Sequence, residues 1–77
     1  MIAPTHGSSL VLGQRIRILR DLRGWSQADI SYHSGLDHEC VRRIEMGIHD
    51  PTLNTLGVIA RCLGVTTSEL LDGIERL

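Results

Sequence analysis

From Leu10 onward, apolar residues recur at helical spacing. Leu12, Ile16 and Leu19 stand at i, i+4 and i+7, one face of a helix expected over residues 10–23 and stopping at Gly24. Four further helix starts share one grammar: an apolar residue, a capping side chain, then an apolar residue at the fourth helical position. Trp25 and Ser26 lead to Ile30, with Asp29 at the third position; Leu36 and Asp37 lead to Val41. Pro51 and Thr52 lead to Leu56, and Val65 and Thr66 lead to Leu70, with Glu69 completing a capping box. Gly35, Gly47, Gly64 and Gly73 each fall where a left-handed residue ends a helix. The spacing predicts five short helices, over residues 10–23, 27–33, 38–46, 53–63 and 67–72. Strand alternation, internal repeats and low-complexity tracts are absent, so the expected fold is an all-α compact bundle.

The second and third of these helices are about two turns each, and only Ser34, Gly35, Leu36 and Asp37 lie between them. So short a connection containing glycine forces a sharp angle, the geometry of a helix-turn-helix. At 100° per residue, Cys40, Val41 and Ile44 cluster on one side of the third helix, which must face the core. His38, Glu39, Arg42, Arg43 and Met46 fall on the other side.

Composition narrows the reading further. Seventy-seven residues allow one domain, and a chain this short buries only about 60–65% of its unfolded surface, so the core must be efficient. With only Trp25 and Tyr32 as aromatics, the packing is aliphatic. No apolar run approaches the roughly 20 residues of a membrane span. Residues 1–9 (MIAPTHGSS) carry neither positive charge nor an apolar stretch; they are expected to be a flexible arm rather than a signal peptide. Cys40 and Cys62 are too few for a disulfide framework and sit in apolar-periodic segments, so they are expected to be reduced core thiols of an intracellular protein. His33, His38 and Cys40 straddle two helices without ligand spacing, and no metal site or cofactor is expected. No nucleophile stands with its base and no paired carboxylates occupy a cleft. An enzyme, such as a minimal nuclease, has no residue set to support it, and no small-molecule ligand is evident.

Net charge is −1, which by itself argues weakly against a nucleic-acid partner. Its distribution softens the argument: residues 1–35 hold four Arg and two Asp, whereas residues 36–77 hold four Arg and seven acids. There is no lysine, and every cation is a planar fork suited to phosphate, carboxylate or guanine.

The stretch from Leu12 to Leu71 resembles the lambda-repressor-like helix-turn-helix domain, the Cro/cI or XRE-type family of phage and bacterial regulators. The resemblance rests on Leu12–Arg20 in the first helix, Ser26 and Gln27 opening the second, and the turn Ser34, Gly35, Leu36. Val41–Gly47, ending the third helix, and Pro51–Leu56, leading into the fourth, complete it. It implies a transcriptional regulator that binds double-stranded DNA with the helix over 38–46 in the major groove. It places base-reading side chains at His38, Glu39 and Arg43. Arg42, at the centre of the exposed arc, can read guanine O6 and N7, and Glu39 can accept from cytosine N4. The resemblance also assigns Gln27 and Asn54 to the DNA backbone, Gln27 steadying the side chain at His38, and makes Arg20 and Glu45 a structural ion pair. Arg15, Arg17 and Arg23 are left as generic surface cations.

Some residues depart from the family pattern. Asp37, Glu39 and Asp50 put acids near the expected DNA face, Ser31 stands where the family usually has alanine, and Gly57 weakens the fourth helix. Leu71, Ile74 and Leu77 crowd the chain end, and a dimer through this segment would cover them. The expected organisation is therefore an arm (1–9) and a DNA-binding domain (10–77) with a C-terminal dimerisation segment, working as a cytoplasmic homodimer of bacterial or phage origin on a two-fold operator. The competing reading is a protein-interaction or antitoxin-like module that keeps the fold and binds DNA weakly, favoured by Glu39 and the acidic C-terminal end.

Overall fold

The computed structural model describes residues 5–72, which form α1 (Thr5–Leu22), α2 (Gln27–Ser34), α3 (His38–Met46), α4 (Leu53–Leu63) and α5 (Thr67–Leu71). The architecture is all-α, as the hydrophobic periodicity requires. Leu12 and Ile16 of α1, Ile30 of α2, Val41 and Ile44 of α3, Leu56, Ile59, Ala60 and Leu63 of α4, and Leu70 of α5 make one core. Leu19, Trp25, Leu36, Cys40, Val65 and Leu71 pack against it, half-buried.

Each internal helix start is held by the side chain anticipated for it. Ser26, Asp37, Thr52 and Thr66 are extended and accept from backbone N–H groups of their first turns, and Ser26 with Asp29 and Thr66 with Glu69 form reciprocal capping boxes. The Asp29 carboxyl is held below its ordinary value by bonds from Ser26, the backbone N–H first and the hydroxyl second. Gly35, Gly47 and Gly64 end α2, α3 and α4. At Gly35, where φ is 76°, a side chain would be strained even though nothing lies nearby; the left-handed residue lets the chain turn from α2 into α3 within three residues. α5 ends at Asp72 with an ordinary negative φ, and Gly73, the stop expected there, lies outside the described residues.

α1 starts five residues before Leu10, so of the expected arm over 1–9, residues 5–9 join the helix and 1–4 lie outside the described residues. Tertiary contacts support this extension. Ser9 is buried and its hydroxyl donates to the Asp50 carboxylate, while Leu10 rests on Gly47. Neither contact has a signature in the local sequence.

Gly13 and Gly57 lie inside helices rather than at their ends. A Cβ on Gly13 would stand 2.5 Å from the Ile44 carbonyl oxygen and 2.6 Å from that of Glu45, so α1 crosses α3 backbone to backbone at this point. Gly57, inside α4, meets only the Thr67 hydroxyl at 3.8 Å and has no such steric reason.

Two of the three arginines expected to be generic surface cations are structural instead. Arg15 Nη1 donates to the carbonyl of Leu70 (3.1 Å) and to that of Asp72, closing the end of α5 onto α1. Arg23 donates through Nε and Nη2 to the Leu63 carbonyl at 3.1 and 2.9 Å, satisfying an orphan acceptor at the end of α4. The same guanidinium lies 5.4 Å from the centre of the Trp25 ring, whose other neighbour is the stacked ring of His33. Arg17 is exposed.

Candidate nucleic-acid interface

α3 is amphipathic by construction. Val41 and Ile44 are sealed in the core, which leaves His38, Glu39 and Arg43 exposed and Arg42 half-exposed along the opposite side. The helix is fixed to the domain by more than apolar packing. Arg20 of α1 reaches Glu45 with Nε to Oε2 at 2.7 Å and Nη2 to Oε1 at 3.0 Å, a two-pronged pair in which both side chains are at most 10% exposed. Its remaining Nη1 donates to the Trp25 carbonyl at 2.7 Å. The Glu45 hydrogen bond holds the guanidinium pKa above its ordinary value, against the opposing effect of burial. Every buried side-chain polar atom among the described residues has a partner, so neither charge of this pair is left unsatisfied in the interior.

Gln27, at the first position of α2, donates its amide to Glu45 Oε1 at 3.0 Å. The start of α2, the end of α1 and the last turn of α3 are thus joined through one carboxylate, a link that no single residue reveals. The Gln27 carbonyl oxygen is not used in that bond. Asn54 stands exposed on the first turn of α4, apart from this network.

The α2–α3 corner is closed by two serines. Ser31 Oγ donates to the Leu36 carbonyl, and Ser34 Oγ accepts from the Leu36 N–H at 3.1 Å. A serine in place of the usual alanine is therefore satisfied within the turn. Two of the three acids near this face are also occupied: Asp37 caps α3 by accepting from the Glu39 N–H at 3.1 Å, and Asp50 accepts from Ser9.

The third acid, Glu39, is the electrostatic centre of the exposed face. Its Oε1 accepts from Arg42 Nε at 3.0 Å; its Oε2 accepts from Arg42 Nη2 and from Arg43 Nε, the latter at 3.1 Å. Hydrogen bonds from Arg42 and then Arg43 hold its carboxyl down at about 2. Arg42 Nη1 additionally lies 3.0 Å from the Met46 sulfur. The spacings i+3 and i+4 favour such pairs on any helix, so this arrangement was available to a reading of charge positions.

At the chain end, Leu71 is half-buried against the core and so is not fully stranded. Ile74 and Leu77 lie outside the described residues. Cys40 and Cys62 are free thiols, both half-buried. Among the described residues no cluster of three or more metal-ligating side chains occurs, and no helix is long and apolar enough to cross a membrane.

A model described as "Helix-turn-helix domain" matches residues 11–72. The chain is 34% identical over 64 residues to the HTH-type transcriptional regulator DdrOP3 of Deinococcus deserti; that match takes in 83% of this chain and spans half the length of the relative. The crystal structure of the restriction-modification controller protein C.AhdI from Aeromonas hydrophila superposes with a TM-score of 0.80 at 33% identity, covering 83% of this chain and 97% of that one. SinR, a master regulator for biofilm formation solved in complex with DNA, gives a TM-score of 0.75 at 27% identity, with 79% of this chain and 98% of that one covered.

Proposed function

We propose, from the premise that the chain belongs to the helix-turn-helix domain family of lambda-repressor-like type, that it is a transcriptional regulator binding double-stranded DNA in a sequence-specific manner. One observation carries this reading: α3 turns an arginine-bearing polar face outward while its other face is locked to the core and, through Glu45, to Arg20. A rigid helix with Arg42 and Arg43 on its outer side suits the major groove, where arginine reads guanine O6 and N7.

In this reading His38, Glu39, Arg42 and Arg43 form the face offered to base edges. Gln27 and Asn54, each in a first helical turn, take phosphate oxygens on either side. Gln27 can do so with its amide oriented by Glu45. The functional unit is a homodimer joined through the segment containing Leu71, Ile74 and Leu77, which sets two copies of α3 about 34 Å apart on a two-fold operator. No chemical step is required of the protein; it acts by occupying a site in the cytoplasm, where Cys40 and Cys62 stay reduced. The proposed organisation is an N-terminal arm followed by the DNA-binding domain, with the boundary moved from residue 9 to before Thr5 by the start of α1.

A second reading, a protein-interaction module, is favoured by the net charge of −1 and by exposed Tyr32, Leu53 and Ile48. The two are separated by selecting duplexes from a random library and measuring binding to selected and random DNA across a salt series. A regulator binds the selected duplex about 10³-fold or more tighter at physiological salt, with affinity falling steeply as salt rises. An interaction module recovers no common sequence.

A further inference from the structure

We propose that Glu39 determines specificity as a positioning residue: it holds Arg42 with its end-on fork free for guanine and offsets part of the positive charge that Arg42 and Arg43 offer to any phosphate. This rests on the DNA-reading role of α3 argued above, and it changes what Glu39 does there, from reading a base to aiming the side chains that read one.

The geometry is specific to one edge of the guanidinium. Arg42 gives Nε and Nη2, its side edge, to the two oxygens of Glu39, and Nη1 meets the Met46 sulfur. An arginine has five N–H donors. Glu39 takes two of them, on Nε and Nη2, and leaves one N–H each on Nη1 and Nη2 directed away from the carboxylate. Those two form the terminal edge, whose parallel N–H bonds match the adjacent O6 and N7 acceptors of guanine. A long side chain that would otherwise sample many rotamers is thus drawn toward one orientation, and less freedom is lost when it meets a base. Arg43 is tethered by Nε alone and keeps its terminal nitrogens free.

The same carboxylate removes one unit of charge from a face whose cations are the two arginines and whose start carries the further acid Asp37. Non-specific binding scales with the number of phosphates that cations neutralise, so this depresses attraction to any duplex. A contact through the free edge leaves the bridge intact, whereas one that grips the side edge must displace Glu39, so the bridge fixes which edge of Arg42 meets the DNA. Glu39 as a direct reader of cytosine would have to compete with three hydrogen bonds it already accepts.

Glu39→Gln tests this, since the site is exposed and an isosteric amide there leaves the core untouched. Binding is measured for wild type and variant on the wild-type-selected duplex and on random duplex across a salt series. Arg42 and Arg43 Nε–H order is measured in the free proteins by nitrogen-15 relaxation. The variant is expected to bind random duplex more tightly, with a salt slope steeper by about 0.9. Its selected-over-random ratio is expected to fall about tenfold, and the Nε–H groups to become mobile. Loss of preference at a single operator position with random binding and Nε–H order unchanged would make Glu39 a base reader and overturn the proposal. So would identical binding and order in the two proteins. Failure of wild type to prefer any duplex would instead refute the regulator reading on which the proposal stands.

Discussion

Glu45 supports three elements through one carboxylate, and removing it leaves the Arg20 guanidinium enclosed with the Trp25 carbonyl and a long 3.4 Å contact to Asp21. Breaking a buried pair from one side costs about 3–5 kcal/mol, most of it the stranded charge. Glu45→Ala is therefore expected to lower unfolding free energy by roughly that amount in urea titration, while base preference on selected duplex stays unchanged in whatever fraction remains folded. Glu39 behaves differently because it is exposed. Its carboxyl is depressed to about 2, so its bridges to Arg42 and Arg43 are fully formed above the ordinary carboxylate range and are lost only as pH falls toward 2. Carboxyl-carbon NMR should show a Glu39 midpoint near 2 in wild type, moving up toward the ordinary value in an Arg42→Ala, Arg43→Ala double variant. Individual residues were partly legible in advance. The positions of His38, Glu39, Arg42 and Arg43 on one face followed from the 3.6-residue period, because periodicity reports direction. That Arg15 and Arg23 close helix ends could not follow, since their acceptors, the carbonyls at Leu70, Asp72 and Leu63, lie 40 or more positions away.

The elements were the most legible level of this molecule, for a physical reason visible at each boundary. Ser26, Asp37, Thr52 and Thr66 stop and start the chain through bonds that span three residues or fewer, so the information is local. The start of α1 differs from the expectation because Ser9 and Leu10 lean on distant residues, Asp50 and Gly47, which no local pattern reports. Glycines inside helices divide by what surrounds them. Gly13→Ala would drive a methyl group into the carbonyls of Ile44 and Glu45, and the only relief is to move α1 off α3. A loss of about 1–3 kcal/mol is expected, together with weaker DNA binding as α3 shifts. Gly57→Ala meets ordinary contact distances and should stabilise the domain by about 0.5–1 kcal/mol, since alanine orders a helix interior more readily. Thermal denaturation of the pair decides both, and opposite signs are the expected result.

At the scale of the whole molecule, the domain presents one polar helix face, and its sequence carries Leu71, Ile74 and Leu77 among the acids of the C-terminal segment. Leu71 is already half-covered by the core, so the proposed dimer depends on Ile74 and Leu77 more than on Leu71. Ile74→Asp is expected to convert a sedimenting dimer into a monomer at micromolar concentration and to weaken operator binding by far more than random binding, because only the operator rewards two linked copies. A dimer indifferent to that change would place the contact elsewhere. The central claim is that α3 reads base edges, and it is tested most directly by comparing position-by-position selection profiles of wild type, Arg42→Ala and Arg43→Ala. Each variant is expected to lose preference at one position per half-site, at a cost of about 1–3 kcal/mol, and to keep the wild-type profile elsewhere. Uniform weakening across all positions, or profiles indistinguishable from wild type, would contradict it.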